Sequence, residues 1–355
     1  MTRVVWLRRE QAREDASNDG TIVFPNVRAW LEESNPGIRP RASFAEAFRL
    51  HYPAVRDLLH DRAESGLGLL AVGPDGVEAS AWFAAKDDEA NPLIVGRHSS
   101  AEVFLPSDPG LSLRHLAVIL HRQRASSPVR FRVLDLRTST GFEDEQGRTL
   151  EALASEGPLM VRCASLAIMM FPTGAPSASW PEDAAQAWAR VPERVYLDAR
   201  TAGSERGPKD GQGRWRARAE PEVVDPGSVT LVPSFPGPVF ASRDLQASDP
   251  PRGELLVSSP AGKAALRVGA RAAEQGILLG RYERCDTAGV PVFSDSSLSR
   301  VHLLVIEVDG ALYAVDTASK NGSYVGGRSI RSVKLQPGVP IRLARDATVE
   351  WRPFH

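Results

Sequence analysis

The chain has 355 residues and carries 43 lysines and arginines against 44 aspartates and glutamates, for a formal net charge of -1. This balance argues against a protein built mainly to coat nucleic acid, because such proteins carry a large excess of basic residues. At about 100–200 residues per domain the length predicts two or three domains, and two cysteines exclude a disulfide framework.

Signals for a membrane or an export pathway are missing from the sequence. The first residues lack the apolar core of a signal peptide. No apolar run is long enough for a spanning helix, which needs about 18 residues or more. We therefore expect a cytoplasmic protein without a membrane partner. A single bridge between Cys163 and Cys285 is possible, but reduced, buried thiols fit that compartment better.

Residues 1–65 are predicted to form a helical N-terminal region. Ser43 and Glu46 have the spacing of a capping box, in which serine and glutamate cap the start of a helix reciprocally. A second helix is predicted to begin at Pro53, since proline is favoured at the first helical position, and to end before Gly66. Its apolar face would comprise Val55, Leu58 and Leu59.

Beyond this region the chain repeats itself. The first copy contains LIVGRH (93–98), LSLRHLAVIL (111–120) and VLDLRTSTGF (133–142). The second copy contains ILLGRY (277–282), LSRVHLLVIEV (298–308) and YAVDTASKNGSYV (313–325). Because the segments recur in the same order with similar spacing, we predict two copies of one module, at 66–173 and 252–355.

The repeated module is predicted to be a β-sandwich or a barrel. Its short apolar runs, bounded by turn-forming residues, are typical of strands. In the second copy they are 255–258, 264–268, 277–280, 301–308, 312–316 and 341–344. The run 301–308 is almost continuously apolar, which predicts a strand buried on both faces.

Residues 174–251 are predicted to form a mixed, partly helical connector rich in proline and glycine. Ser179 and Glu182 form a second capping-box pattern before a short helix. Residues 201–218 have the composition of a mobile loop, 229–233 of a lone strand packed on a neighbour, and 234–251 of an extended connector. Trp180, Trp188 and Trp215 would either cover the seam between the modules or form a surface for a partner.

The second copy also carries polar residues in a distinctive order. They are Gly280-Arg281, Ser299-Arg300-Val301-His302, Asp316, Ser319-Lys320-Asn321-Gly322-Ser323 and Leu335-Gln336-Pro337-Gly338. A phosphothreonine presents about -1.5 to -2 charges and three acceptor oxygens, so its receptor must supply fixed donors. The planar guanidinium of Arg281 suits this role, and the Ser299 hydroxyl and the Asn321 amide are further donors. Taken singly, Arg281 is also consistent with a surface arginine and Asn321-Gly322 with a hairpin turn.

This pattern resembles that of the forkhead-associated (FHA) domain, a β-sandwich that binds phosphothreonine. The resemblance implies that Arg281 and Ser299 contact the phosphate, with Arg300 and Lys320 near it and Asn321 on the peptide main chain. It also implies structural roles for four residues, namely Gly280, His302, Asp316 and Gly322. Lys320 departs from the threonine that is common at its position in the family.

The first copy resembles the same module in a degenerate form. Its possible phosphate site, weaker than the second, comprises Arg97, Ser112 and Thr140. Leu113 replaces the counterpart of Arg300 and loses a charge, while Thr140 replaces the asparagine and loses its amide. A scaffolding or dimer-forming role is therefore favoured for this copy.

The resulting prediction is a mainly β, non-catalytic signalling adapter, bacterial in type, that reads the output of a Ser/Thr kinase. Its partner would be a threonine-phosphorylated protein, either the kinase or a substrate, and it would need no cofactor. The alternative is a phosphorylation-independent scaffold or inhibitory protein that uses both sandwiches. No zinc-ligand spacing, nucleotide-binding loop or nucleophile elbow favours an enzyme or a metal site. The oligomeric state is left open.

Overall fold

The computed structural model describes residues 42–60, 62–124, 127–174, 180–198, 229–241, 249–287 and 291–354. Within these ranges the chain forms two β-sandwiches with a few short helices, which confirms the predicted mainly β fold class. None of the helices described is long and apolar enough to cross a membrane. Cys163 and Cys285 are buried and form no disulfide.

The first sandwich consists of two facing sheets. Its strands are β1 (Gly66–Gly73), β2 (Gly76–Ala84), β3 (Asn91–Gly96), β4 (Val103–Phe104), β5 (Leu116–His121), β6 (Arg130–Asp135), β7 (Phe142–Glu143), β8 (Thr149–Leu150), β9 (Ala152–Ser155), β10 (Leu159–Cys163), β11 (Leu166–Thr173), β12 (Glu193–Asp198) and β13 (Val229–Phe235). The six-stranded sheet has the order β2-β1-β11-β10-β7-β8, and the seven-stranded sheet has the order β12-β13-β9-β6-β5-β3-β4. Alternate residues of the facing strands form the core between them.

The second sandwich repeats this arrangement. Its strands are β14 (Val239–Phe240), β15 (Pro251–Ser259), β16 (Gly262–Gly269), β17 (Ile277–Leu279), β18 (Leu303–Val308), β19 (Ala311–Asp316), β20 (Ser323–Val325), β21 (Arg328–Ile330), β22 (Ser332–Lys334), β23 (Ile341–Leu343) and β24 (Ala347–Pro353). The six-stranded sheet, β16-β15-β24-β23-β20-β21, has the same strand order as its counterpart in the first sandwich. In the five-stranded sheet, β14-β17-β18-β19-β22, the strands from β17 to β22 correspond to β3, β5, β6 and β9. The sequence repeat is therefore also a repeat of topology.

Two helices precede the first sandwich, α1 (Phe44–Leu50) and α2 (Tyr52–Leu59). The predicted capping box is present, because Glu46 N–H donates to Ser43 Oγ over 3.2 Å and Ser43 N–H donates to Glu46 Oε2 over 2.7 Å. Helix α2 begins one residue before Pro53 and ends at Leu59, and Gly66 opens β1 rather than ending the helix. The predicted apolar face is buried.

The short helix between the sandwiches, α3 (Ala184–Arg190), does not use the predicted capping box. Its N-cap is Asp183, whose carboxylate accepts from Gln186 N–H over 2.8 Å. Residues 180 and 181 lie outside the helix, and the Tyr52 hydroxyl donates to the carbonyl of Pro181. Ser179 lies outside the described residues. Because aspartate caps a helix as well as serine does, tertiary contacts decided which residue begins the helix.

An aromatic cluster joins helices α1, α2 and α3 to the first sandwich. The ring of Phe48 lies 5.1 Å from Trp188, 6.3 Å from Trp180 and 6.1 Å from Phe171 of β11, measured between centroids. These tryptophans therefore cover a seam between helices and sheet, and not the predicted seam between the two modules. Trp215 lies outside the described residues.

The connector contributes strands to both sandwiches. Strand β13 is not the predicted lone strand, because it pairs in parallel with β12 and antiparallel with β9 inside the seven-stranded sheet. Strand β14, within the predicted extended connector, pairs in parallel with β17. The predicted mobile loop at 201–218 lies outside the described residues.

The two sandwiches share a face. In β5, Leu116, Val118 and Leu120 point into the core of the first sandwich. The intervening Ala117 and Ile119 belong to the hydrophobic cluster that contains the core of the second sandwich. Strand β5 is thus buried on both faces, and its continuous apolar sequence follows from that position.

Polar contacts identify the opposing surface as the five-stranded sheet of the second sandwich. Arg132 Nη1, on β6, donates to the carbonyl of Glu307 on β18 over 3.2 Å. The Tyr313 hydroxyl, on β19, donates to the carbonyl of Asp88 over 3.0 Å. The predicted double-sided burial of the run at 301–308 holds for its central part, since residues 303–306 are buried.

Candidate functional site

Three loops at one end of the second sandwich lie side by side. The loop after β17 is joined to the loop before β18 by two backbone hydrogen bonds, from Arg281 N–H to Ser299 O over 3.0 Å and from Tyr282 N–H to Arg300 O over 3.1 Å. Gly280 permits this approach, because a Cβ at that position would collide with the carbonyl oxygens of Ser299 and Arg300. The backbones of Arg281 and Ser299 are thereby held next to each other.

The third loop, after β19, is organised by Asp316. This carboxylate is buried and accepts from Ser319 N–H over 2.7 Å, from the Ser319 hydroxyl over 2.6 Å and from the Ser323 hydroxyl over 2.7 Å. Its own N–H donates to the carbonyl of Arg331 over 2.9 Å. These bonds fix the turn on which Lys320 and Asn321 are presented.

A fully buried histidine connects two of these loops. His302 Nδ1 accepts from Ser299 N–H over 3.1 Å, and its Nε2 lies 3.1 Å from the carbonyl of Gly322. These partners require the neutral ring with its proton on Nε2. Burial lowers the pKa of His302, against the opposing influence of Asp316, so the ring stays neutral where the site is formed.

Two of the predicted phosphate-binding residues, Ser299 and Lys320, are joined by a hydrogen bond. Ser299 is largely buried, with 7% of its surface exposed, and its Oγ accepts from Lys320 N–H over 3.0 Å. Arg281, Arg300 and Lys320 are exposed. Arg300 follows Ser299 in the sequence, and the backbone N–H of Arg281 donates to the Ser299 carbonyl, so three cationic residues are attached to the backbone near this hydroxyl, an arrangement suited to an anion.

Asn321 adjoins a cavity at the edge of this cluster. Its side-chain amide donates to the carbonyl of Ser297 over 2.6 Å, which ties the loop before β18 to the loop after β19. The cavity, with a volume of about 430 Å³, is lined by Lys320, Asn321, Tyr324 and Arg331 among other residues of the second sandwich, and by Ser100 of the first. Sequence reasoning missed Tyr324, Arg331 and Ser100, which no motif marks.

The first sandwich also reaches the loops around Ser299 directly. Arg114 Nε and Nη2 donate to the carbonyl of Ala318 over 2.9 and 2.6 Å, and Nη2 lies 3.4 Å from Ser299 Oγ. Arg331 Nε is 3.3 Å from Glu102 Oε1. Sequence reasoning missed Arg114, although the contrast between Ser-Leu-Arg-His and Ser-Arg-Val-His in the two copies was a visible signal.

The corresponding loops of the first sandwich have the same framework. His115 Nδ1 accepts from Ser112 N–H over 3.1 Å, and its Nε2 lies 2.7 Å from the carbonyl of Gly141. Asp135 accepts from the Thr138 N–H and hydroxyl over 3.0 and 2.6 Å. These contacts match those of His302 and those of Asp316 with Ser319, whereas the third bond of Asp316, from the Ser323 hydroxyl, has no counterpart because Phe142 occupies that position.

The other residues of these loops differ between the two sandwiches. Arg97 Nε donates to the carbonyl of Leu111 over 2.5 Å, so this guanidinium holds its own loop. Leu113 is exposed where the second sandwich has Arg300, and Thr140 is exposed. The weaker phosphate site predicted for Arg97, Ser112 and Thr140 remains a prediction.

In the second sandwich, residues 277–344 match the family model of the FHA domain. The chain is similar to the FHA-1 structure of Rv1747 from Mycobacterium tuberculosis, with 22% identity over 28% of this chain and 97% of that chain and a TM-score of 0.23. It is also similar to the FHA domain of the CT664 protein from Chlamydia trachomatis, with 21% identity over 29% of this chain and 99% of that chain and a TM-score of 0.23. For EmbR from Mycobacterium tuberculosis in complex with a low-affinity phosphopeptide, the identity is 22% over 28% of this chain and 24% of that chain, with a TM-score of 0.24. No curated protein matches the chain significantly.

Proposed function

We propose that the protein is a non-catalytic adapter that binds threonine-phosphorylated proteins through the loop cluster of its second sandwich. The observation that carries this proposal is the Ser299 hydroxyl, held by Lys320 N–H within a group of exposed arginines, in a segment that matches the FHA domain. Bound phosphate would receive charge-assisted hydrogen bonds from Arg281 and Arg300. Asn321 would contact the main chain of the peptide.

The proposed partner is a Ser/Thr kinase or one of its substrates, encountered in the cytoplasm of a bacterium. The second sandwich, 252–355, would be the reading module and the first, 66–173, a degenerate FHA-like module, with 1–65 as the helical N-terminal region and 174–251 as the connector. Arg97 of the first sandwich donates to the carbonyl of Leu111 in its own sandwich, which supports phosphate binding by the second sandwich rather than by the first.

A titration of the full chain against a phosphothreonine peptide library tests this function. Phosphoserine and unphosphorylated versions of the same peptides serve as ligand controls. We expect selective binding of phosphothreonine peptides and a loss of about 2–5 kcal/mol of binding free energy in Arg281→Ala, because the phosphate would lose a paired cation.

The matched control variant is Arg267→Ala, which removes an exposed arginine from β16. It should bind like the parent. Equal binding by parent and Arg281→Ala would overturn the role of Arg281. Failure of the folded full chain to bind any phosphopeptide would favour the scaffold alternative, whose partners should stay bound after phosphatase treatment.

A further inference from the structure

The guanidinium of Arg114 is fixed in a defined orientation at the junction of the two sandwiches. Its Nε and Nη2 both donate to the carbonyl of Ala318, a residue with a positive φ of 59° in the loop after β19. Nη2 also lies 3.4 Å from Ser299 Oγ. An arginine of the first sandwich is therefore anchored beside the hydroxyl around which the proposed phosphate site is built.

Donor capacity remains on both groups after these contacts. Arginine has five N–H donors, and in the described part of the chain the two N–H groups on Nη1 of Arg114 have no acceptor. Ser299 Oγ accepts from Lys320 N–H, and within the same residues its own proton has no acceptor. The Nη1 N–H groups of Arg114 and the hydroxyl proton of Ser299 could therefore donate to a single ligand with several acceptor atoms.

The electrostatic surroundings favour an anionic ligand. Burial lowers the pKa of Arg114, Asp316 acts in the opposite direction, and the positive charge of Arg300 lowers it further. Asp316 already accepts from the Ser319 and Ser323 hydroxyls. An anion placed between Arg114 and Arg300 would relieve the repulsion between the partly buried Arg114 and the exposed Arg300.

The loop of the first sandwich is altered at the positions that matter for this contact. In the second sandwich the sequence after Ser299 is Arg300-Val301-His302, and in the first the sequence after Ser112 is Leu113-Arg114-His115. In the first sandwich the arginine stands one position later than in the second, and an exposed leucine, Leu113, occupies the position that matches Arg300. The arginine of the first sandwich, Arg114, contacts Ser299 and Ala318 of the second sandwich instead.

We propose that Arg114 is a phosphate-binding residue of the site on the second sandwich, which makes that site a composite of both modules. This inference rests on the proposed function and extends it. It assigns the first sandwich a direct part in recognition of a phosphorylated ligand, with Arg114 beside Ser299. A second sandwich without the first would have an incomplete site.

The test compares the full chain with two variants, using the tightest phosphothreonine peptide from the library. Arg114→Met keeps much of the length and removes all donors, whereas Arg114→Gln removes the charge and retains an amide that can donate to Ala318. Both are expected to bind at least about tenfold more weakly, because a hydrogen bond to a charged group is lost. The control is Arg130→Met, which removes an arginine of β6 that pairs with Glu156 at 2.6 Å.

A phosphorus NMR titration of the bound peptide separates phosphate contact from a purely structural role. The second pKa of phosphothreonine is about 6, and each nearby cation lowers it. In complexes with Arg114→Met or Arg114→Gln the pKa of the bound phosphate should be higher than in the parent complex, and in the Arg130→Met complex it should equal the parent value. A structural role would weaken binding without moving this pKa.

The outcomes distinguish this inference from the proposed function. If the parent binds and Arg281→Ala does not, but both Arg114 variants bind with parental affinity and phosphate pKa, only the composite site is wrong. Tighter binding by the Arg114 variants would show that Arg114 obstructs the site, which also overturns the inference. If the parent binds no phosphopeptide, the proposed function fails and the composite site fails with it.

Discussion

Asp316 does more to shape the candidate site than any residue that is predicted to touch a ligand. Its carboxylate is 3% exposed and accepts three hydrogen bonds from Ser319 and Ser323. Buried donors that lose their acceptor each cost free energy, since they are cut off from water as well. The loop that presents Lys320 and Asn321 therefore depends on one buried anion.

Asp316→Ala is expected to lower the free energy of unfolding by about 3 kcal/mol or more, because three buried donors would lose their acceptor. Phosphopeptide affinity should fall with it, since the loop after β19 would lose its shape. Urea denaturation and peptide titration measure the two effects. Asp346→Ala, which removes an exposed aspartate from the β23–β24 turn, is the matched control. An unchanged urea midpoint in Asp316→Ala would contradict this account.

Arg114 and Leu113 show that a shift of one position in the sequence changes which sandwich a charged side chain contacts. From the sequence, Leu113 indicates that the first module has lost the arginine found at position 300. In the structure the neighbouring Arg114 points across the module boundary and bonds to Ala318. The first sandwich lacks an arginine at position 113, and the second sandwich receives a contact from Arg114. Only the packing of the two sandwiches connects these two facts.

Gly280 allows two loops of the site to approach each other closely. Strand β17 ends at Leu279, and Gly280 lies against the backbone of Ser299 and Arg300. A methyl group in that space would push the two loops apart and separate Arg281 from Ser299. The Gly-Arg pair thus combines a close backbone approach with a cation placed just beyond it.

Gly280→Ala should reduce phosphopeptide affinity at least about tenfold and destabilise the fold by about 1–3 kcal/mol, because overpacking forces backbone shifts. Gly253→Ala is a suitable comparison, since its new Cβ would also meet a backbone carbonyl, that of Arg352, in the β15–β24 pair. We expect a similar loss of stability there with parental peptide affinity. Calorimetric titration and thermal unfolding of both variants check the prediction, which is wrong if both lose affinity equally.

Helix starts were predictable where local chemistry was decisive. The capping box at Ser43 and Glu46 forms as expected because both partners lie within one turn. The similar pattern at 179–182 does not start a helix, because the Tyr52 hydroxyl bonds to Pro181 and the ring of Trp180 packs against Phe48. Distant residues provided those contacts, and Asp183 took over the cap.

The shared face joins the two sandwiches through apolar and polar contacts. Arg132 is one of the polar contacts, since its guanidinium bonds to the carbonyl of Glu307 and lies 4.8 Å from the ring centroid of Phe235. Burial lowers the pKa of Arg132 to about 10. A buried apolar face with such anchors ties the first sandwich to the orientation that places Arg114 in the second.

We expect the two sandwiches to unfold in one cooperative transition. Neither can separate without exposing the apolar face formed by Ala117, Ile119 and their partners in the second sandwich. Hydrogen exchange in increasing urea, followed by mass spectrometry on peptides from β5 and β18, measures this. Both peptides should lose protection at the same urea concentration. Earlier loss in β5, with β18 still protected, would contradict a shared core.

The repeat, the strands and the order of the polar motif were accessible from the sequence because they depend on local patterns. Apolar runs bounded by turn residues mark strands in both copies. The Gly-Arg, Ser-x-x-His and Asn-Gly spacing marks the loops of the site, since each motif lies where a strand ends. Their proximity could be predicted from the family resemblance, and the structure shows the hydrogen bonds that produce it.

Tertiary structure alone decided how the modules meet and which side chains cross between them. The role of Arg114, the cavity beside Asn321 and the position of the tryptophans all depend on residues far apart in the chain. The almost continuous apolar run at 301–308 indicates that β18 is buried on both faces, but it does not say what covers the second face. That partner is set by complementary shape and charge between two folded surfaces, which no local pattern encodes.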